Sequence, residues 1–217
     1  MKMRNHAKCL AKKTTGLIIR YHNLMTSLHL ARFKSPNPRK NLPEKTSRKR
    51  GESNFLRSFE RIYVSRYCRA KQVAWQDFAL QGYGIADLIM LSWSTPNDGG
   101  IASSVEQLRR HLRRQRLTAF EVKLVDWRKA LIQGHRYRYF CDRAIVVLPE
   151  KTAKIAETHL DLFRSLEVGL WGLDTVTDTI QKRFTPNETQ ARNAQARDKA
   201  TETILAKIQF CKTFKTC

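Results

Sequence analysis

Three side chains in this sequence could do chemistry together. Asp87 stands near the head of Gly84-Ile-Ala-Asp-Leu-Ile-Met-Leu-Ser-Trp93, an otherwise largely apolar run. Glu121 and Lys123 flank Val122 in a second run, Leu117-Thr-Ala-Phe-Glu-Val-Lys-Leu-Val125. An isolated charge in a segment that is apolar on both faces is costly, so a carboxylate there is usually paired or bound to metal. Residues two apart in a strand share a face, which puts Glu121 and Lys123 together. If the two runs are adjacent strands, Asp87, Glu121 and Lys123 converge at one sheet end. Two carboxylates and the Val122 backbone carbonyl then make an oxygen site suited to a hard divalent cation, Mg²⁺ or Mn²⁺. A lysine beside it can orient a water or offset charge that develops on a phosphate. The plainer reading is a turn-ending aspartate and a cross-strand ion pair. A Glu-x-Lys triplet alone is weakly specific; the three residues in these strand contexts favour a site.

The elements that must position them follow from periodicity. Phe55, Leu56, Phe59, Ile62, Tyr63 and Tyr67 predict a helix over 53–69 with Ser53 as cap and Glu60 off the apolar stripe. Residues 73–78 read as a short strand, Gly82-Tyr-Gly84 as a turn, and Ile85 to Trp93 as a buried strand. Residues 94–116 interrupt the sheet. There Val105, Leu108 and Leu112 give a helical stripe, and Arg109, Arg110, Arg113 and Arg114 crowd the rest. That face can grip phosphates or can simply be solvated.

Leu117 to Val125 is the next strand, and Asp126 is the N-cap of a helix from Trp127 to about Phe140. On that helix Gln133 and Tyr137 share a face with Ala130, where they could reach phosphate or a metal-bound water. Alternatively Tyr137 is core and Gln133 satisfies backbone. Arg136 adds positive charge near the presumed groove, and Trp127, Leu131 and Gly134 belong to the core. A strand over 143–148, a helix over 152–166 with Ile155, Ala156, Leu160 and Phe163 inward, a strand over 168–173, an edge-like strand over 176–184 and an Ala-rich helix over 189–210 follow. The pattern is mixed α/β with its core at 53–184.

Composition points to a polyanionic partner. The net charge is +22 over 217 residues, and residues 1–50 hold 14 Lys and Arg against the single acid Glu44. Residues 1–50 fit a disordered nucleic-acid arm, an organelle transit peptide, or an upstream extension with Met25 as a later start; the plainer reading is a disordered tail with little specific chemistry. The expected division is this segment, a domain over 51–184, and a C-terminal helical tail over 185–217. Five scattered cysteines without a C-x-x-C pair suit a reducing compartment and disfavour a zinc knuckle. No apolar run approaches the roughly 20 residues of a membrane span. Of the polyanionic partners, nucleic acid comes first and an anionic membrane surface second, and the expected partner is DNA rather than a membrane.

The pattern Asp87 … Glu121-x-Lys123, with its strand contexts and the helix and strand that follow, resembles the PD-(D/E)xK nuclease superfamily over about residues 53–173. Ala86 replaces the motif proline. The resemblance implies a restriction-endonuclease-like mixed sheet flanked by helices. It implies a Mg²⁺- or Mn²⁺-dependent nuclease acting on DNA in repair, recombination or restriction. Asp87 and Glu121 would bind the metal and Lys123 would assist the attacking water. Glu60 is the match for an acid on the first helix, and Gln133 for a glutamine on the helix after the motif lysine. A homodimer is left open, and a bacterial cytoplasm is the expected setting. The competing expectation is a nucleic-acid-binding protein on the same fold without catalysis.

Overall fold

The computed structural model describes residues 30–34, 47–67, 71–93 and 115–213. Among these residues seven strands form one mixed sheet whose spatial order follows the chain: β1 (Leu30–Lys34), β2 (Lys71–Leu80), β3 (Gly84–Trp93), β4 (Arg116–Val122), β5 (Arg143–Pro149), β6 (Val168–Asp174) and β7 (Thr179–Phe184). β2, β3 and β4 run antiparallel in sequence, β4, β5 and β6 are parallel, and β7 turns back against β6. The helices are α1 (Ser47–Tyr67), α2 (Trp127–Tyr137), α3 (Glu150–Glu157), α4 (Leu160–Ser165) and α5 (Ala194–Thr213). Among the described residues no helix is long and apolar enough to cross a membrane.

Side-chain alternation sorts the sheet residues onto two faces. Leu88, Met90, Phe120, Val122, Ile145 and Val147 pack under Phe55, Leu56, Phe59 and Ile62 of α1. Ile89, Leu91, Leu117, Ala119 and Ala144 face the other way, against Tyr137 and Phe140 and against Ala196, Ala200 and Ile204 of α5. Val146, Leu148, Val168 and Leu170 lie beside them under α2, α3 and α4.

Two details bear on the site. The β2–β3 turn has Gly82 at φ 89° and Gly84 at φ 96°, a left-handed geometry that only glycine adopts freely. Asp77 in β2 sits at φ 54°, one of the few residue types that tolerate it. That kink breaks the alternation, so Trp75, Phe78 and Leu80 share one core cluster, while Gln76 donates to Glu60 of α1.

Several expectations are corrected. α1 begins at Ser47 rather than 53, and residues 30–34 of the expected arm form β1, paired parallel to β2. The helix expected over 152–166 is two helices; Ala156 and Phe163 are buried as expected, but Ile155 is exposed and Ala153 is buried in its place. The expected tail contributes α5, whose Ala196, Ala200 and Ile204 are buried. The basic stripe Arg109, Arg110, Arg113 and Arg114 lies outside the described residues.

Candidate active site

The site forms where β3 and β4 stop pairing. Their backbone register runs as far as Leu88 opposite Phe120. The next pair in register would be Asp87 and Glu121. Instead, the Asp87 side chain enters the ladder, and its Oδ2 accepts the Val122 N–H at 2.8 Å. On its other side β4 stays tied to β5, with Lys123 N–H donating to Val147 O at 3.2 Å. The end of β4 is thus fixed by one neighbouring strand and by the carboxylate of the other.

Lys123 folds back over this junction. Its ammonium is 2.7 Å from Glu121 Oε1 and 3.8 Å from Asp87 Oδ2, and it donates to Val122 O at 3.3 Å. Glu121 is fully buried, whereas the Lys123 and Asp87 side chains retain 15% and 27% exposure. The site therefore opens at Asp87. Glu121 Oε1 is met by the Lys123 ammonium at 2.7 Å.

Tyr137 closes the inner side. Its hydroxyl oxygen is 2.6 Å from Glu121 Oε2 and 2.6 Å from Ile85 O. A phenol has one proton and can donate to only one of two acceptors. Both short contacts are satisfied if Glu121 is protonated, donating to the phenol oxygen while the phenol donates to Ile85 O. Burial, reinforced by the Asp87 charge and only partly opposed by Lys123, pushes the Glu121 carboxyl up to about 8. Geometry and electrostatics both raise the proton affinity of Glu121 when the site holds no divalent cation. Burial also raises Asp87, against the opposing pull of Lys123. For Lys123, burial works against the charge, but Glu121 and Asp87 together outweigh it and the ammonium is held above its usual range. Burial, with the Glu121 charge, pushes the Tyr137 phenol far up, so it stays a neutral donor.

Asp87, Glu121 and Lys123 are therefore brought together, and the Val122 carbonyl joins them. Three other assignments change. Tyr137 is only 1% exposed and its hydroxyl is committed to Glu121 and Ile85, so it offers nucleic acid no surface. Glu60 accepts from Gln76 Nε2 at 2.5 Å, between α1 and β2. The α1 acid whose field acts on both Asp87 and Lys123 is Glu52, two turns earlier. Gln133 is tied to the Tyr137 hydroxyl, one turn away on α2, and its Oε1 is buried without a partner. Arg136 is exposed on the outer side of α2.

Sequence reasoning missed Glu52 because the preceding Arg48-Lys49-Arg50-Gly51 run looked like the end of a basic arm. The helix continues through it, and Gly51 there lies so near Leu124 that a Cβ would approach its Cδ1 to 3.1 Å. Asp77 was missed because nothing in the sequence marks its backbone kink, which puts its charge within reach of Asp87.

The donor set has the right chemistry for a hard divalent cation. Two carboxylate oxygens and one carbonyl oxygen surround a single point, already held by a positive nitrogen. Among the described residues no group of three or more His, Cys, Asp or Glu side chains is gathered, so the set rests on two carboxylates and one carbonyl. No family model matches this chain, nor does any curated protein or solved structure.

Proposed function

We propose that this protein is a divalent-metal-dependent phosphodiesterase that hydrolyses DNA, built on a restriction-endonuclease-like fold of the PD-(D/E)xK type. The observation that carries the reading is the convergence of Asp87, Glu121, Val122 O and Lys123 at the splayed end of β3 and β4. The mixed sheet with helices on both faces is compatible with it. Asp87, Glu121 and the Val122 carbonyl would hold Mg²⁺ or Mn²⁺. When bound, such an ion supplies charge stabilisation to a reacting phosphate and lowers the pKa of water.

The chain's own residues do the rest. Asp87 faces the open side and meets the substrate end of the site. Glu121 is held in one orientation by Tyr137, so its carboxyl does not need to be ordered at the moment of reaction. The Lys123 ammonium can donate to a phosphate oxygen or to the attacking water, where its charge offsets the negative charge that grows in the transition state. Bulk positive charge favours encounter with DNA.

A second reading is a nucleic-acid-binding protein without catalysis. It is favoured by one feature: each group already has a structural partner, Asp87 with the Val122 N–H and Lys123 with Glu121. Cleavage of linear and branched DNA with Mg²⁺ or EDTA separates the two. Asp87→Asn retains an acceptor for the Val122 N–H while removing the charge, and Glu121→Gln retains the size of the buried group. Each is expected to stay folded and to lower Mg²⁺-dependent cleavage by at least about 10²-fold, as removal of a positioned electrostatic group does. Wild-type-like cleavage by either variant rules out the nuclease reading at this site. Absence of Mg²⁺-dependent cleavage by the parent, with DNA binding intact, selects the binder.

A further inference from the structure

The Lys123 ammonium lies within 4 Å of the same three oxygens that the cation reading assigns to metal: Glu121 Oε1 at 2.7 Å, Asp87 Oδ2 at 3.8 Å and Val122 O at 3.3 Å. Resting on the divalent-cation reading above, we infer that Lys123 is the site's resident cation and that a divalent ion binds only by displacing it. Metal entry and release of the lysine for the substrate phosphate are then one coupled exchange.

The argument is steric and electrostatic. A Mg²⁺ ion needs oxygens at about 2.0–2.1 Å in near-octahedral array. An ammonium nitrogen within 4 Å of all three oxygens stands in the space where they converge. Even if the two could be fitted side by side, they are like-charged at a few ångströms in a site where Glu121 has no solvent exposure. Water screens such a repulsion poorly there. The lysine is equipped to leave: it has a flexible four-carbon stem, and its side chain is already 15% exposed on the Asp87 side. It is also tethered, so it always returns when the ion departs. The Asp87 charge, left beside buried Glu121 with no cation, would be uncompensated, which is destabilising. The arrangement keeps the empty site folded, and divalent affinity is lower than the oxygens alone would give.

This makes an inverse prediction for one residue. Removing a lysine that only assists catalysis leaves metal affinity unchanged. Removing a resident cation strengthens it. The experiment measures Mn²⁺ affinity of the full chain by loss of the free-ion electron paramagnetic resonance signal, and thermal midpoints with and without Mn²⁺. The proteins are the parent, Lys123→Met, Lys123→Gln and Lys123→Arg. Lys123→Met and Lys123→Gln are expected to bind Mn²⁺ at least about tenfold more tightly than the parent, given the size of a like-charge repulsion at this range. Their midpoints should be lower than the parent's without metal and should rise more on adding it. Lys123→Arg keeps the charge and should bind no more tightly than the parent. Adding Glu121→Gln to Lys123→Met should abolish the gain, which locates it at this site. If Lys123→Met folds only with Mn²⁺ present, that dependence supports the inference through the same linkage. Equal or weaker Mn²⁺ binding by both neutral variants, with the parent binding normally, overturns the exchange but leaves the metal site standing. No Mn²⁺ binding at Glu121 in any of the proteins overturns the metal reading and this inference with it.

Discussion

The proton on Glu121 ties together the contacts of Tyr137, Lys123 and Asp87. With the carboxyl raised to about 8 by burial and by Asp87, the folded protein binds a proton between about pH 4.5 and 8 that the unfolded chain has released. Stability from this group is therefore fully present below pH 4.5 and is lost as pH rises through 8. The groups facing it are Asp87 on β3, Lys123 just past the end of β4 and Tyr137 on α2; Glu52 of α1 and Asp77 of β2 act on Asp87. Measured without divalent ion, the thermal midpoint of the parent should fall by several degrees between pH 5 and 8. Glu121→Gln, which cannot ionise, should flatten that slope, and a slope unchanged in the variant would assign the titration elsewhere. The convergence of Asp87, Glu121 and Lys123 was legible in the sequence because strand alternation and the cost of burying charge are local rules. The state of the site was not. Tyr137 lies 16 residues from Glu121, and only the docking of α2 on the sheet brings its hydroxyl to the carboxyl.

That docking depends on one close approach. α2 starts where Asp126 Oδ1 accepts the Lys129 N–H at 3.1 Å, a cap that the sequence marks plainly. It lies close to the sheet at Gly134, where a Cβ would stand 2.9 Å from Val168 Cγ1 and 3.5 Å from Val146 Cγ2. Both neighbours are β-branched residues in buried strands, with little rotamer freedom to yield. Gly134→Ala gains about 1 kcal/mol of helix propensity. Overpacking at such a site costs about 1–3 kcal/mol, so the net change is expected to destabilise by about 1 kcal/mol, or roughly 2–4 °C in Tm. Because Tyr137 is three residues on, the shift should also loosen Glu121, and on the proposed nuclease reading it should reduce turnover more than DNA affinity. A more stable Gly134→Ala protein would show that α2 has room to move. At this scale the strands and α2 were readable because their apolar periods are strong. The start of α1 was hidden by its basic residues, and the break between α3 and α4 by an apolar spacing that continues across it.

For the whole molecule, the boundary that matters is at the C-terminus. The sequence read residues 185–217 as a tail because α5 is rich in alanine and polar residues and has no broad apolar stripe. The structure uses a narrow one. Ala196 and Ala200 are small enough to let α5 lie close against β2–β4 and α2, and Ile204 completes the same cluster as Trp75, Phe78 and Phe140. Arg197, only 7% exposed, fixes the helix: it donates to Thr201 Oγ1 at 2.8 Å and to Gln115 O at 2.5 Å, and meets Asp142 Oδ2 at 3.2 Å. Asp142 Oδ2 in turn accepts the Leu117 N–H at 2.7 Å, at the start of the strand that carries Glu121. The helix thus closes one face of the sheet and braces β4 from its far end. Ile204→Ala should cost about 2–5 kcal/mol, the range for emptying a buried aliphatic site. Ending the chain after Asn193 removes that burial, the two alanines and the Arg197 bonds together, and the loss should exceed the single substitution. Circular dichroism melts of the two proteins check this order. A truncated chain that melts with the parent would make α5 an appendage, and the brace on β4 would then have to lie within residues 115–193.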